Sequence, residues 1–283
     1  MAKIADLLAA GPTLSFEFSP PRTDEAAIQL AATVDELAPL HPSFVSVTYG
    51  ALGSTRDRTR DAVVDINRKH SFPAMAHLTC VGQTRAELEA LLADYRDNGV
   101  ENILALAGDP PADGSDPGGE FTHALELVEL VHGFNGFAVG VAAHPELHPR
   151  SPDRASDRRY LAQKLAAVDF GITQFFFEVD AYRQMIDELA ELGCTTPILP
   201  GVMPILSVAG IRRMSAMNNT SIPDALNERL DAADGDAEAV RQIGVEVATE
   251  LCRGLLDLGV PGLHLYTLNR AESVSEIHAN LGL

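Results

Sequence analysis

Glu17 sits inside the apolar run "LSFEFSP" (14–20), flanked by Phe16 and Phe18. In an extended segment, alternation sends both rings to one face and the carboxyl to the other. A carboxyl withdrawn from water is costly to keep charged. Desolvation is therefore expected to raise its pKa and leave it protonated near neutrality, as a general acid requires. The structural alternative for the same residue is pairing with an arginine inside the protein. Gln174, in "ITQFFFEV" (172–179), carries an amide with a donor and an acceptor, suited to a heteroaromatic edge, a carboxamide or neighbouring backbone. The run "ILALAGDPPADG" (103–114) ends its apolar stretch on Gly108 and the carboxylate Asp109. His144 and His148 in "HPELHP" stand four apart, but Pro145 and Pro149 argue against a helical metal pair. With no third ligand at suitable spacing, no metal is expected.

These residues need elements to hold them. Eight β-rich runs occur in order, at 14–20, 44–50, 75–81, 103–109, 137–143, 171–179, 197–203 and 262–269. Helix-like stretches lie between them at 24–38, 55–70, 84–98, 121–132, 153–168, 180–192 and 236–258. The stretch 84–98 opens with a Thr84/Glu87 capping box and stops at Gly99. Strands alternating with helices imply parallel βαβ units, and eight units in 283 residues imply a (β/α)8 TIM barrel in one domain, 1–283. No G-x-G-x-x-G follows the first run, and the glycine-rich loop 114–119 follows the fourth, so a dinucleotide-binding doubly wound sheet is disfavoured. Between the seventh and eighth runs, "VAGIRRMSAMN" and "IPDALNERL" read as two inserted short helices.

In such a barrel, chemistry belongs at the carboxyl ends of the strands. That places Glu17, Thr48, Tyr49, His77, Thr79, Asp109, His144, His148, Gln174, Tyr266, Thr267 and Arg270 at one mouth. A net charge of −19 argues against nucleic acid as a partner and requires that any anionic ligand be held by local basic groups. Cys80, Cys194 and Cys252 are too few and too scattered for a disulfide framework. No signal-peptide pattern and no apolar run of membrane-spanning length is present, so a cytoplasmic protein is expected.

The blocks "SFEFSPPRT", "FVSVTYGA", "HLTC", "LAGDPP", "AAHPELHP", "ITQFFFEVDAY", "PGVMPI" and "LHLYTLNRAE" together resemble the catalytic domain of methylenetetrahydrofolate reductase in its short bacterial form. The blocks run in the family's order over essentially the whole chain. The resemblance implies hydride transfer from NADH or NADPH to 5,10-methylenetetrahydrofolate, giving 5-methyltetrahydrofolate, through a bound FAD in most members. It implies Glu17 as the acid that opens the folate ring and Asp109, after Gly108, as the carboxylate beside the pterin. Gln174 is implied to contact folate and nicotinamide in turn, and Arg270 and Tyr266 to bind substrate. Thr48, His77, Gly108, His144, His148, Asp157 and Lys164 match cofactor-side positions. The family is often homo-oligomeric.

The departures gather on the flavin side. Ala107 stands where the family's A-L-R-G-D has a phosphate-holding arginine, and His144 where it has a tyrosine. Gln163-Lys164 replaces a basic pair, and Val208 replaces a phenylalanine that stacks on ligand. The reading therefore leans to direct hydride transfer from nicotinamide to folate, with the FAD relay as the second version. Two rivals complete the reading: a flavin barrel oxidising another amine, and a non-catalytic folate-binding barrel.

Overall fold

The computed structural model describes residues 2–50, 56–109 and 115–283. Ala51, Pro110, Pro111 and Gly114 of the motifs above lie outside the described residues. The strands are β1 (Thr13–Phe18), β2 (Phe44–Val47), β3 (Ala74–Thr79), β4 (Asn102–Leu106), β5 (Ala138–Ala143), β6 (Phe170–Thr173), β7 (Ile198–Leu199), β8 (Gly201–Val202) and β9 (Gly262–Tyr266). All pair in parallel, in the order β7-β6-β5-β4-β3-β2-β1-β9-β8. The two ends of that ladder, β7 and β8, are consecutive in the chain and separated only by Pro200. They are two halves of one strand, and through them the sheet closes into a TIM-like α/β barrel.

Pro200 has no N–H to give the ladder, which is why the strand divides there. The gap is filled by side chains. Gly201 N–H donates to Thr173 Oγ1 at 2.8 Å, and the Tyr266 hydroxyl donates to Thr173 O at 2.8 Å. A Cβ on Gly201 would run into Thr173 O and the Tyr266 ring, so the closure needs a glycine.

The helices follow the alternation: α1 (Ile4–Ala10), α2 (Asp24–Leu37), α3 (Arg56–Lys69), α4 (Arg85–Asp97), α5 (Ala124–His132), α6 (Arg154–Leu165), α7 (Val179–Glu191), α8 (Val208–Asn218), α9 (Asp224–Ala233), α10 (Ala237–Asp257) and α11 (Glu272–Leu281). The Thr84/Glu87 capping box starts α4, with Thr84 N–H donating to Glu87 Oε2 at 2.8 Å. The two inserted helices are present as α8 and α9. The sequence reading omitted two elements, α1 and α11.

Alternation divides the strands between two cores. Phe16, Phe18, Val45, Val47, Ala76 and Leu78 face outward into the layer beneath the helices. Each such buried side chain of Val or Phe size contributes about 1.5–3 kcal/mol. Phe44, Met75, Leu104, Phe170, Ile172 and Leu199 fill the barrel, together with Ile4 of α1. Ile4 N–H donates to Asn102 Oδ1 at 2.7 Å, and Asn102 Nδ2 donates to Ala2 O at 3.1 Å, so α1 plugs the amino end. The opposite end carries the polar residues.

A third cluster, with Phe175, Met203, Ile205, Val208, Ile211, Leu226 and Leu230, joins α8 and α9 to the wall of that mouth. The run 171–179 reads in sequence as one strand, but β6 stops at Thr173. Gln174 N–H makes a last bond of 2.8 Å to Ala143 O, and the chain then turns. Phe175 enters the third cluster while Phe176 joins the outer core against Tyr182, and burying rings in two places ends the extended run.

Candidate active site

Glu17 projects inward from the carboxyl end of β1, beside Ser46 of β2 and Tyr266 of β9 in the strand register. Its side chain is 11% exposed. Three groups converge on its Oε2: the Ser46 hydroxyl at 3.3 Å, His264 Nε2 at 3.1 Å and His77 Nε2 at 3.3 Å. The His77 contact is one of charge and proximity, because its ring nitrogen lacks hydrogen-bond alignment and is otherwise unpartnered. Behind Glu17, His264 Nδ1 lies 2.8 Å from Ser15 Oγ, which donates to Leu263 O at 3.1 Å. His264 is fully buried, between the Phe44 ring and the edge of Tyr266.

This arrangement corrects the expected sign of the Glu17 shift. Burial does push its pKa up and is the largest single influence. The charge of His77 and the hydrogen bond from His264 together outweigh it, holding the carboxyl down at about 2.

The β9 end is tied to β1 by short bonds. Thr267 Oγ1 donates to Glu17 O at 2.6 Å, and the Asn269 amide bridges Ser19 N and Ser19 O at 2.8 and 2.9 Å. Leu268 and Asn269 take left-handed backbone (φ 50° and 57°) to make this turn. Arg270 lies just beyond, exposed at the rim.

Gln174 is half-buried past the end of β6, its Nε2 donating to Asn218 Oδ1 of α8 at 3.0 Å and its Oε1 accepting from Phe175 N–H at 3.0 Å. Tyr266 presents only its ring, since its hydroxyl serves the Pro200 gap. Val208 is buried in the third cluster. Thr48 is half-buried and continues the β1–β2 ladder through its N–H to Phe18 O at 2.9 Å. Asp109 is exposed, three residues past the end of β4 rather than on it. Gly108 before it has φ +90°, and a Cβ there would meet Val81 Cγ1 at 2.5 Å. That glycine is what lets the chain turn Asp109 onto the rim.

On the β5 side, "HPELHP" forms a loop gripped from beneath by α6. Arg158, 3% exposed, donates to the carbonyls of His144, Pro145 and Glu146 at 3.1, 2.5 and 2.9 Å. It also pairs with Asp157 at 2.6 Å and Glu188 at 2.7 Å. Asp157 completes the clamp by accepting from Ser151 Oγ at 2.6 Å and His148 N–H at 3.3 Å. Its carboxylate thus positions the loop.

The His144 and His148 rings meet edge to face, with centroids 4.6 Å apart. Burial, then the neighbouring His148 and Lys164 charges, lower His144 to about 3; burial and Arg150 lower His148. Lys164 Nζ donates to Ala142 O at 2.6 Å, and desolvation lowers its pKa to about 8.

The chain matches the family model described as methylenetetrahydrofolate reductase over residues 2–282. It belongs to the methylenetetrahydrofolate reductase family. The 5,10-methylenetetrahydrofolate reductase of Escherichia coli (strain K12) is 37% identical over 271 residues, covering 95% of this chain and 90% of that protein. The methylenetetrahydrofolate reductase (NADH) 1 of Zea mays is 36% identical over 298 residues, covering 99% of this chain and half of that one. Among solved structures, a Clostridium thermocellum protein that binds two copies of 5-methyl-5,6,7,8-tetrahydrofolic acid superposes with a TM-score of 0.66. It is 15% identical and covers 98% of this chain and 97% of its own, which shows a shared fold. Among the described residues, no helix is long and apolar enough to cross a membrane.

Within this reductase fold, the sequence reading singled out Glu17 and His77, which the barrel brings together. It did not single out His264, Ser15, Ser46, Asn218 or Arg158. Alternation alone could have found two of them. Ser15 and His264 lie two residues before Glu17 and Tyr266, on the same inward face. Arg158 carried no signal, because a charged residue on a helix reads as solvated until its neighbours are known.

Proposed function

We propose that this chain reduces 5,10-methylenetetrahydrofolate to 5-methyltetrahydrofolate, taking hydride directly from NADH or NADPH, with Glu17 as the acid that opens the folate ring. The observation that carries this reading is the Glu17 cluster, a mostly buried carboxyl at the barrel mouth gripped through one oxygen by two imidazoles and a hydroxyl. A carboxyl so held has a fixed direction and a proton supply, the two requirements of a positioned general acid.

The chemistry balances with one proton and one hydride. Protonation of folate N10 by Glu17 lets the methylene carbon–N10 bond break, with its electron pair going to N10. The methylene is then an iminium on N5, which hydride converts to a methyl group. Asp109 at the rim is the carboxylate available to hold the pterin and favour the developing cation. Gln174 must exchange its bond with Asn218 for one to a ligand, which its amide can do at little net cost. Arg270 is the exposed cation suited to folate's carboxylate tail.

The residues present do not fit the pyrophosphate of a flavin dinucleotide. Ala107 offers a methyl group where the resemblance implies an arginine. Arg158 is spent on two carboxylates and three carbonyls, His144 and His148 are held neutral, and Lys164 already serves Ala142 O. Each missing charge-assisted bond forfeits about 1.5–3 kcal/mol, roughly tenfold to a hundredfold in affinity. No step is therefore assigned to flavin.

The test is anaerobic oxidation of NADH and of NADPH by purified protein with methylenetetrahydrofolate, with and without added FAD. Equal rates in both arms and stoichiometric methyltetrahydrofolate are expected. A yellow protein whose turnover is lost on stripping the flavin would refute direct transfer, and no oxidation in either arm would refute the reaction.

A further inference from the structure

We infer that His264 stores the proton that Glu17 delivers, and that Ser15 and the Leu263 carbonyl fix the tautomer that makes this possible. The inference rests on the reading of Glu17 as the acid and adds a residue that acts through it.

The argument follows one proton along a line of four groups. Ser15 has a single hydroxyl hydrogen and two groups in reach of it, Leu263 O at 3.1 Å and His264 Nδ1 at 2.8 Å; the carbonyl can only accept, whereas the ring nitrogen can donate in return. With the hydroxyl given to the carbonyl, the Ser15 oxygen accepts from His264 Nδ1, 2.8 Å away, and that nitrogen carries the hydrogen. A neutral imidazole protonated on Nδ1 has a bare Nε2, and that nitrogen faces Glu17 Oε2 at 3.1 Å. Carboxylate and bare nitrogen cannot hydrogen-bond without a proton between them. The pair therefore takes up one shared proton, held either as carboxylate with imidazolium or as carboxylic acid with neutral imidazole.

The surroundings decide which form prevails. His77 from β3 is the other titratable group against the carboxylate, and Tyr266 from β9 is the other one against the His264 ring. β2 contributes only Ser46 and Phe44, and β8 meets His264 in register with Gly201. With water at the mouth, the charged form is favoured, and Glu17 is a carboxylate. A folate ring closing the mouth removes that water, and the ion pair collapses to acid and neutral imidazole. Glu17 then gives its proton to N10. Carboxylate and neutral imidazole remain, and the next proton enters from solvent after product leaves. One proton is consumed per hydride, as the overall reaction requires.

This resolves the conflict between a carboxyl held near 2 and its use as an acid. The affinity that matters belongs to the pair and not to the carboxyl alone. Activity should persist to higher pH than a lone carboxyl would allow.

The test combines kinetics with histidine nitrogen NMR. In His264→Gln, the alkaline limb of the kcat profile should move down by about one pH unit or more, with kcat at neutral pH reduced about a hundredfold. KM for methylenetetrahydrofolate should change by less than about threefold, since ligand contacts are untouched. Ser15→Ala keeps His264 packed and frees its tautomer, so the limb should move the same way by less. In 15N-histidine-labelled wild-type protein, His264 should be doubly protonated near neutrality, and in Glu17→Gln it should become neutral with hydrogen on Nδ1. An unmoved limb in both variants, or a neutral His264 protonated on Nε2 in the wild type, would overturn the proton store. Those results leave the Glu17 reading standing if Glu17→Gln is inactive, whereas an active Glu17→Gln removes that reading itself.

Discussion

The two sides of the barrel mouth spend their charges in opposite ways. Toward β1, β3 and β9, one carboxylate faces two imidazoles, and among the described residues no arginine or lysine pairs with it. Toward β5 and α6, one arginine is saturated by two carboxylates and three backbone carbonyls. The first arrangement sets one carboxyl oxygen among two imidazoles and a hydroxyl, the geometry on which the proposed acid step rests. The second engages every N–H of Arg158 and fixes the loop above it. A barrel mouth can thus be polar all round and place its charges differently on its two sides.

The comparison breaks most sharply at Glu17. Glu17→Gln keeps the shape and removes the acid, so turnover should fall by about 10²–10⁴-fold, with the melting temperature essentially retained. Steady-state methyltetrahydrofolate formation and a thermal melt check both halves. On the other side, Arg158→Met strands two carboxylates and three carbonyls, and should cost about 3–5 kcal/mol of stability in a urea titration. Turnover that collapsed in Arg158→Met at full stability would contradict the purely structural role.

A third change tries to convert one side's character. Ala107→Arg supplies a cation at the position where the resemblance implies one, and should raise FAD affinity by roughly tenfold to a hundredfold in a fluorescence titration. No gain would show that charge at this position does not limit flavin binding.

The smallest effect concerns Lys164. Below about pH 8 its amine is charged in folded and unfolded chains alike, and the folded state bears the desolvation cost. Between about 8 and its ordinary 10.5, only the unfolded chain holds the proton, so stability from this group rises with pH. Relative to Lys164→Met, the wild type should therefore gain stability across that window, measured as the difference between paired melts.

Much of the molecule was legible in the chain. Strand and helix order followed from period-2 and period-3.6 patterns, and α8 was readable to its boundaries as "VAGIRRMSAMN". Where the pattern misled, tertiary packing was responsible. Three consecutive phenylalanines look like strand until Phe175 and Phe176 are seen to enter different cores. Pro200 could be read as a break, but not as the seam at which a barrel closes.

The sequence by itself determined that Glu17 points away from its flanking rings, that the chain is a barrel, and to which family it belongs. All three depend on local alternation or on order along the chain. Only the tertiary structure decided the sign of the Glu17 pKa, the partnership with His264 some 247 residues away, and the silence of Arg158. Those depend on distances between groups remote in sequence, and electrostatic energies are set by such distances and by burial.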